Sequence, residues 1–303
     1  MMRIFGTVLA ALAGLAFGSF LNVCLSRWPV GESVVKPRSH CRSCGRTLTW
    51  WENVPLVSWL SLRGRCRTCG AQISWRYPLV ELAVGALWAT IAWQSISHVV
   101  DALAITSPQA PVSFSPRFLL EFALAVLGKM LFTWVLVGLA ALDVEHLWLP
   151  DVVTLTSLVL GAVVTLLRGD FLLPSGQARI SPLGELLDVA LASVIAAGLV
   201  LLIRWIYWLV RRREGIGLGD AKLMAMLAAW LGLPGALLAF AIGVVLGALA
   251  ALVLLAIPSA RRGPESWTLT KLPLGTFLCI GGIVSGLWGQ QILTAYLRWS
   301  GLS

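Results

Sequence analysis

The chain has little charge for its length. Only 12% of its 303 residues are Asp, Glu, Lys or Arg, whereas a soluble domain usually has about a quarter. A chain that is 58% hydrophobic does not carry enough polar residues to cover a soluble surface. Binding to nucleic acid does not explain the net charge of +9, because a DNA-binding face requires a soluble fold. We therefore expect a membrane protein without a nucleic-acid partner.

Long apolar runs predict an all-α polytopic membrane protein with about eight transmembrane helices, since a helix needs roughly 20 apolar residues to cross the bilayer. Only Gly-Leu-Pro-Gly at 232–235 separates the sixth run, which is short, from the seventh, so one long kinked helix is the alternative there. The predicted spans are Ile4–Leu25, Leu79–Ile96, Phe118–Leu142, Val152–Leu167, Leu187–Val210, Ala221–Leu233, Ala236–Ile257 and Leu274–Leu297.

Lys and Arg predict the orientation, because they collect on the cytoplasmic side of short loops. Nine of them lie in residues 26–78, whereas loops 98–117 and 168–186 hold few. Residues 26–78 should therefore be cytoplasmic and lie between a first transmembrane helix, 1–25, and a bundle, 79–303. A cleaved signal peptide is the alternative for the first span, but its apolar run continues to Leu25, longer than a typical signal core.

Four cysteines in the predicted cytoplasmic loop form two pairs. Cys41-x-x-Cys44 and Cys66-x-x-Cys69 are 21 residues apart, close to the spacing of a tetrahedral four-thiolate zinc site. Gly45 and Gly70 follow the pairs, where a tight turn would favour positive φ. Two disulfides are the alternative, which a reducing cytoplasm disfavours. We expect a structural zinc ion, because four thiolates leave no open position for a substrate.

Two aspartates lie at the ends of predicted spans, where acidic groups are costly in lipid and often functional. Asp143 ends the third span and Asp220 opens the sixth, 77 residues later. The predicted topology places both at the cytoplasmic boundary. A close carboxylate pair does not easily lose both protons, so one aspartate stays protonated while the other, ionised, activates a water. Such a pair can hydrolyse a peptide bond without a covalent intermediate.

Three glycines precede Asp220 and would let the backbone approach a substrate strand closely. The alternative is that Asp220 is a helix cap behind a glycine-rich loop. Asp151, after a proline, fits a helix start without any chemistry. The roles of Glu81, Lys129 and His146 stay open. The glycines are Gly215, Gly217 and Gly219.

Several segments resemble the bacterial type IV prepilin leader peptidases, many of which are also N-methyltransferases. Similar segments are found along most of the chain, and the last of them resembles a Pro-Phe-Gly-Pro-Phe pattern with two substitutions. They are residues 18–23 (GSFLNV), 51–60 (WENVPLVSWL), 76–82 (RYPLVEL), 149–151 (LPD), 215–223 (GIGLGDAKL) and 272–278 (LPLGTFL).

The resemblance implies that Asp143 and Asp220 are catalytic and that the enzyme lies in the bacterial inner membrane. The implied substrates are pilin-like precursors with a basic cytoplasmic leader, cleaved after a glycine at the start of an apolar helix. It also implies N-methylation of the new terminus with S-adenosylmethionine, whose site no sequence motif places. The alternatives are a transporter that uses the aspartates as ion sites, or a non-catalytic assembly factor.

Overall fold

The computed structural model describes residues 1–105, 116–168, 181–213, 215, 217–256 and 272–301. These residues are mainly helical, and their only β-type pairings are two isolated bridges in the loop after the first helix. The all-α fold predicted from the sequence is therefore confirmed. The helices are α1 Met2–Arg27, α2 Val57–Ser61, α3 Arg76–Ile105, α4 Pro116–His146, α5 Asp151–Arg168, α6 Pro182–Arg211, α7 Leu218–Ala256 and α8 Leu274–Trp299.

Six helices of the described chain, all except α2 and α5, are long and apolar enough to cross a membrane. The described parts of all eight predicted spans are helical. However, α5 is shorter than the six candidate membrane spans, and the sixth and seventh predicted spans both lie in α7. The count of eight spans is therefore not confirmed. Ile257 and most of loops 98–117 and 168–186 lie outside the described residues. The described parts of those loops belong almost entirely to helices, because helical hydrogen bonding continues past the apolar run.

The chain divides into two compact units, of which unit 1 comprises Met1–Leu119 and Lys129–Gly138. Its main contact is between α1 and α3, which run antiparallel with glycines at the crossing. A Cβ on Gly14 would lie 2.9 Å from Gly85 Cα, and one on Gly18 would lie 2.8 Å from Glu81 Cα. Glycine is needed at both positions because the two backbones approach so closely.

Two buried charged residues tie the loop of unit 1 to its helices. Arg27, 5% exposed at the end of α1, donates to the carbonyls of Ser33 and Pro37 at 2.7 Å each. Glu81, 6% exposed in α3, accepts the N–H of Leu56 at 2.8 Å. Leu56 has a left-handed φ of 59°, which is uncommon for a leucine, and the bond from Glu81 helps to hold it there.

Unit 2 comprises Leu120–Gly128 and Leu139–Ser303 and contains a break inside α7. Gly232 has φ 68° and ψ 173°, and Pro234 follows it. A straight helix of this length would measure about 58 Å, roughly twice the hydrocarbon thickness of a bilayer. The break lies in the Gly-Leu-Pro-Gly segment that the sequence indicated as the separation between two spans.

Small residues pack the second half of α7 against α8, and the two run antiparallel. Ser285 donates to the Gly235 carbonyl at 2.8 Å. A Cβ on Gly281 would overlap the Ala239 carbonyl oxygen, and one on Gly243 would lie 3.1 Å from the backbone of α8. Spacing of four residues between small side chains allows this close approach in lipid.

Candidate active site and metal centre

Asp143 lies in the last turn of α4 and is 6% exposed. Its Oδ2 accepts two hydrogen bonds from Thr276, one from the backbone N–H at 2.7 Å and one from the hydroxyl at 3.0 Å. Thr276 is the third residue of α8, and Pro273, which precedes that helix, gives it no side-chain cap. Asp143 therefore caps α8 from a different helix, satisfying an N–H that has no partner within α8.

Asp220 is the third residue of α7 and is 8% exposed. Its Oδ2 accepts the backbone N–H of Gly217 at 3.2 Å, so the side chain reaches back to the residue before its own helix. This bond is the acidic half of a capping box, and the alternative of a capping role is partly correct. Asp143 and Asp220 thus each bind the N-terminus of a helix, whose positive end favours a negative charge.

The structure brings the two aspartates to one place in unit 2. Asp143 lies beside Gly275, and Asp220 directly follows Gly219. Leu149 connects the two sides, since its side chain would lie 3.4 Å from a Cβ on Gly219 and 3.0 Å from one on Gly275. The ends of α4, α7 and α8 therefore meet, as the predicted topology requires.

Of the three glycines before Asp220, Gly215 is the one at which a side chain would collide with a neighbour, and a Cβ at Gly217 or Gly219 would make ordinary contacts. A Cβ on Gly215 would lie 2.6 Å from the ring of Tyr207. A Cβ on Gly217 would lie 3.4 Å from Asp220 Oδ2, and Gly219 faces Leu149. The group that closely approaches Gly215 is therefore the ring of Tyr207 in the same chain.

Other acidic residues near the pair have partners of their own. Asp151, at the first position of α5, pairs with Lys222 at 2.7 Å, and both side chains are well exposed. His146 Nε2 lies 3.8 Å from Glu145 Oε2. Asp151 begins α5 as expected, and its lack of a chemical role stays a prediction.

Sequence reasoning missed the residues that hold Asp143. In the sequence, Gly275 and Thr276 stand out only because they belong to the segment 272–278, which resembles the Pro-Phe-Gly-Pro-Phe pattern. A Cβ on Gly275 would lie 3.0 Å from Asp143 Oδ2, so the glycine makes room for the carboxylate. The available signal was a helix start after Pro273 without a capping side chain, which calls for an acceptor from elsewhere.

The four cysteines of the loop in unit 1 form one cluster. The sulfur atoms of Cys41, Cys44, Cys66 and Cys69 all lie within 4.8 Å of one another, and those of Cys41 and Cys69 are 3.8 Å apart. Four sulfurs bound at about 2.3 Å to a tetrahedral zinc ion would be about 3.8 Å apart. All four are free thiols rather than two disulfides, so the residues fit a metal ion.

Each cysteine pair lies in the same kind of turn. Cys41 N–H donates to the Arg46 carbonyl at 2.9 Å, and Cys66 N–H donates to the Ala71 carbonyl at 2.8 Å. Gly45 and Gly70 both have φ of 70°, as the sequence predicted. The backbone N–H groups of Cys69 and Thr68 lower the pKa of the Cys66 thiol to about 6. A lower pKa favours the thiolate, which is the form that binds metal.

The buried carboxylate of Glu52 stabilises the turn that contains Cys41 and Cys44. Glu52 is 7% exposed, binds Arg46, and accepts the Thr49 N–H at 2.8 Å and its hydroxyl at 2.7 Å. Arg46, followed by the two groups of Thr49, lowers the pKa of Glu52 to about 2. Glu52 thereby completes a capping box and holds Arg46 beside the cysteines.

Fold and site together define a multi-pass helical membrane protein with an aspartate pair in one unit and a four-cysteine cluster in the other. The sequence model of the type IV leader peptidase family matches residues 130–252, and that of the bacterial peptidase A24 N-terminal domain matches residues 12–95. The chain belongs to the type IV leader peptidase family, which makes it a membrane peptidase and confirms the resemblance.

Relatives align along nearly the whole chain. The prepilin leader peptidase/N-methyltransferase of Stutzerimonas stutzeri is 32% identical, with 97% of this chain and 95% of that protein covered. The protein of the same name from Pseudomonas aeruginosa is 32% identical, with 96% and 93% covered. The type 4 prepilin-like proteins leader peptide-processing enzyme of Escherichia coli O78:H11 is 34% identical, with 92% of each covered. No solved structure matches the chain.

Proposed function

We propose that Asp143 and Asp220 are the catalytic pair with which this peptidase removes the leader of type IV prepilin-like precursors. The observation that carries the proposal is the meeting of two buried carboxylates, each on a helix N-terminus and each within electrostatic reach of the other. Burial and mutual repulsion keep one proton on such a pair, which is the state that two-aspartate hydrolysis needs. The relatives' names supply the substrate class.

The reaction divides the work between the two carboxyl groups. The ionised aspartate takes a proton from water as the water oxygen bonds to the carbonyl carbon of the scissile peptide. The protonated aspartate gives its proton to the carbonyl oxygen, and a tetrahedral diol forms. The carbon–nitrogen bond then breaks as the aspartate that took the proton of water gives a proton to the leaving nitrogen. The other aspartate takes a proton from a hydroxyl of the diol, so the pair returns to its starting state with one proton.

We place the pair at the cytoplasmic face of the bacterial inner membrane. Arg211 ends α6 and Arg212 follows it, a few residues before the start of α7, where Asp220 lies. Positive residues at a helix end favour the cytoplasmic side. A basic leader that stays in the cytoplasm and joins an apolar helix would present its junction to the pair at this depth.

The four-cysteine cluster is proposed to hold a structural zinc ion, since four thiolates complete its coordination. The ion would fix two turns of the loop with respect to each other and would take no part in hydrolysis. In this proposal residues 26–78 form a cytoplasmic zinc-binding insert between the first transmembrane helix, 1–25, and the peptidase bundle, 79–303.

Two of the relatives are named N-methyltransferases, and we propose S-adenosylmethionine, which carries a carboxylate, a sulfonium and an adenine, as the methyl donor of this chain. A recess of about 250 Å³ in unit 1 is lined in part by Phe20, Arg38 and Asn53. A guanidinium suits the carboxylate and an aromatic ring suits the sulfonium, so these residues fit the amino-acid part of the donor. Arg38→Gln should weaken binding of labelled donor, whereas Arg65→Gln, on the same loop, should not.

The test of the peptidase is cleavage of a prepilin-like precursor in vesicles at matched enzyme abundance. Asp143→Asn and Asp220→Asn should each abolish cleavage, while Asp188→Asn, an exposed position in α6, should leave it unchanged. A single-methyl mass increment on the product terminus reports methylation separately. Cleavage by either catalytic variant at the wild-type rate would favour an ion-site or assembly role for the aspartates.

A further inference from the structure

Thr276 distinguishes the two carboxylates. Its backbone N–H lies 2.7 Å and its hydroxyl 3.0 Å from Asp143 Oδ2, whereas Asp220 Oδ2 receives one bond, from Gly217 N–H at 3.2 Å. Thr276 is 9% exposed, so water competes little for its bonds. The bonds that stabilise an ionised carboxylate are therefore more numerous and shorter at Asp143.

We propose that Thr276 is a positioning residue that selects Asp143 as the ionised member of the pair, which takes the proton of the attacking water. Asp220 is then the member that keeps its proton and gives it to the carbonyl oxygen of the substrate. The inference rests on the proposed function, because it assigns roles within that catalytic pair.

Helix ends also act on the two carboxylates. Asp143 lies at the negative end of α4 but also at the positive end of α8, so these contributions oppose each other. Asp220 lies at the positive end of α7, which favours its ionisation. A helix-end effect is typically smaller than a hydrogen bond to a charged group. The two bonds from Thr276 therefore outweigh it.

The hydroxyl of Thr276 has one proton and two acceptors within reach. Its Oγ1 lies 3.0 Å from Asp143 Oδ2 and 3.1 Å from the Ala140 carbonyl oxygen in α4. While Asp143 is ionised, the hydroxyl donates to the carboxylate; after Asp143 has taken the proton of water, the hydroxyl turns to Ala140. It keeps a hydrogen bond in both states, so protonation of Asp143 costs only the difference between a bond to a carboxylate and a bond to a carbonyl.

Few other charged or titratable groups share this environment. The thiol of Cys279, on α8, interacts with both carboxylates. Glu145 and His146 are the last two residues of α4 and pair with each other at 3.8 Å, and Asp151 binds Lys222 at 2.7 Å. In the ranges that the structure describes, no lysine or arginine bonds either carboxylate. The pH dependence of cleavage should therefore report the pair and its bonds to Thr276.

Thr276 is also one of the two positions at which residues 273–277 differ from the Pro-Phe-Gly-Pro-Phe pattern. Proline has neither an N–H nor a hydroxyl to offer. Both bonds to Asp143 therefore depend on the threonine that this chain has in place of the proline of the pattern. We expect them to set the pH range of cleavage rather than to create the activity.

The experiment compares pH profiles of kcat/KM for wild type, Thr276→Val and Thr276→Ser with a prepilin-like precursor in vesicles. Valine keeps the shape and the N–H but loses the hydroxyl, so the acidic limb should move up by about one pH unit, with little change on the plateau. Below the limb the variant should be about tenfold slower, and serine should restore the wild-type profile. Thr154→Val is the control, because that buried hydroxyl bonds only backbone at the start of α5.

A Thr276→Val profile that coincides with wild type would overturn the inference. An equal loss at every pH together with lower thermal stability would also overturn it, because that result describes a structural role. If the valine variant does not fold, Thr276→Ala provides the same comparison. Full activity of Asp143→Asn would instead refute the proposed function, so the two failures are distinguishable.

Discussion

Replacing Gly275 by alanine places one methyl group against the carboxylate of Asp143, a member of the proposed catalytic pair. The new Cβ would lie 3.0 Å from Asp143 Oδ2, 3.1 Å from its Cγ and 3.0 Å from Leu149 Cδ1. Carbon atoms in good contact are about 3.5–4.0 Å apart, so Asp143 or Leu149 must move by several tenths of an ångström. The Thr276 N–H donates to the same oxygen at 2.7 Å, and movement of the carboxylate away from position 275 lengthens that bond.

The size of the effect follows from what that bond contributes. A hydrogen bond to a charged group contributes about 1.5–3 kcal/mol, and its loss corresponds to roughly 10- to 150-fold slower cleavage on the acidic limb of the pH profile, where ionisation of Asp143 limits the rate. The helix itself gains, because alanine is favoured over glycine by about 1 kcal/mol within a helix. Gly275→Ala should therefore lose activity without a comparable loss of thermal stability.

The assay is precursor cleavage in vesicles at matched abundance, with thermal unfolding of the same samples. Gly198→Ala is the control, because a Cβ there meets nothing within 4 Å. Gly247→Ala is a second control, with an ordinary 3.4 Å contact to Phe277. Cleavage by Gly275→Ala at the wild-type rate would refute the reasoning, as would a loss of activity that merely follows a loss of stability.

Four further predictions concern packing, metal and charge. Gly281→Ala should lower the thermal stability of unit 2, because its Cβ overlaps the Ala239 carbonyl; unfolding at the wild-type temperature would contradict the close packing of α7 on α8. Cys66→Ser should lower zinc content, measured by elemental analysis, whereas Cys24→Ala, in α1, should retain it; equal zinc in both would refute the metal site. Asp151→Asn should keep most cleavage, since Asp151 contacts Lys222 in an exposed pair, and complete loss in a folded variant would show that it belongs to the site. Glu52, whose pKa is held at about 2 against an ordinary 4.5, should stabilise the loop above about pH 4.5 and lose that effect as pH falls toward 2; tryptophan fluorescence of wild type and Glu52→Gln should therefore differ most at neutral pH.

Local patterns made much of this structure predictable. The cysteine spacing and the glycines after each pair predicted the two turns, because a metal-binding turn is a short-range structure. Apolar runs predicted the helices, and the positions of Asp143 and Asp220 at span ends predicted that they meet.

Contacts between distant residues were not predictable in the same way. Thr276 and Asp143 are far apart in sequence, and nothing in either segment specifies that one helix supplies the missing cap of the other. The bond that the Leu56 N–H donates to Glu81 likewise depends on how the loop folds back onto α3. The number of crossings stayed open because α5 is short and a glycine break, which hydropathy does not detect, divides α7.

The most direct test of the central claim is a double-mutant cycle on the two aspartates. Residual precursor cleavage would be measured for Asp143→Asn, Asp220→Asn and the double variant at matched abundance. If the carboxylates act as one unit, each single change removes the shared-proton state, and the double variant should be no slower than either single variant. Separate losses that add, or substantial cleavage in either single variant, would contradict a two-aspartate mechanism.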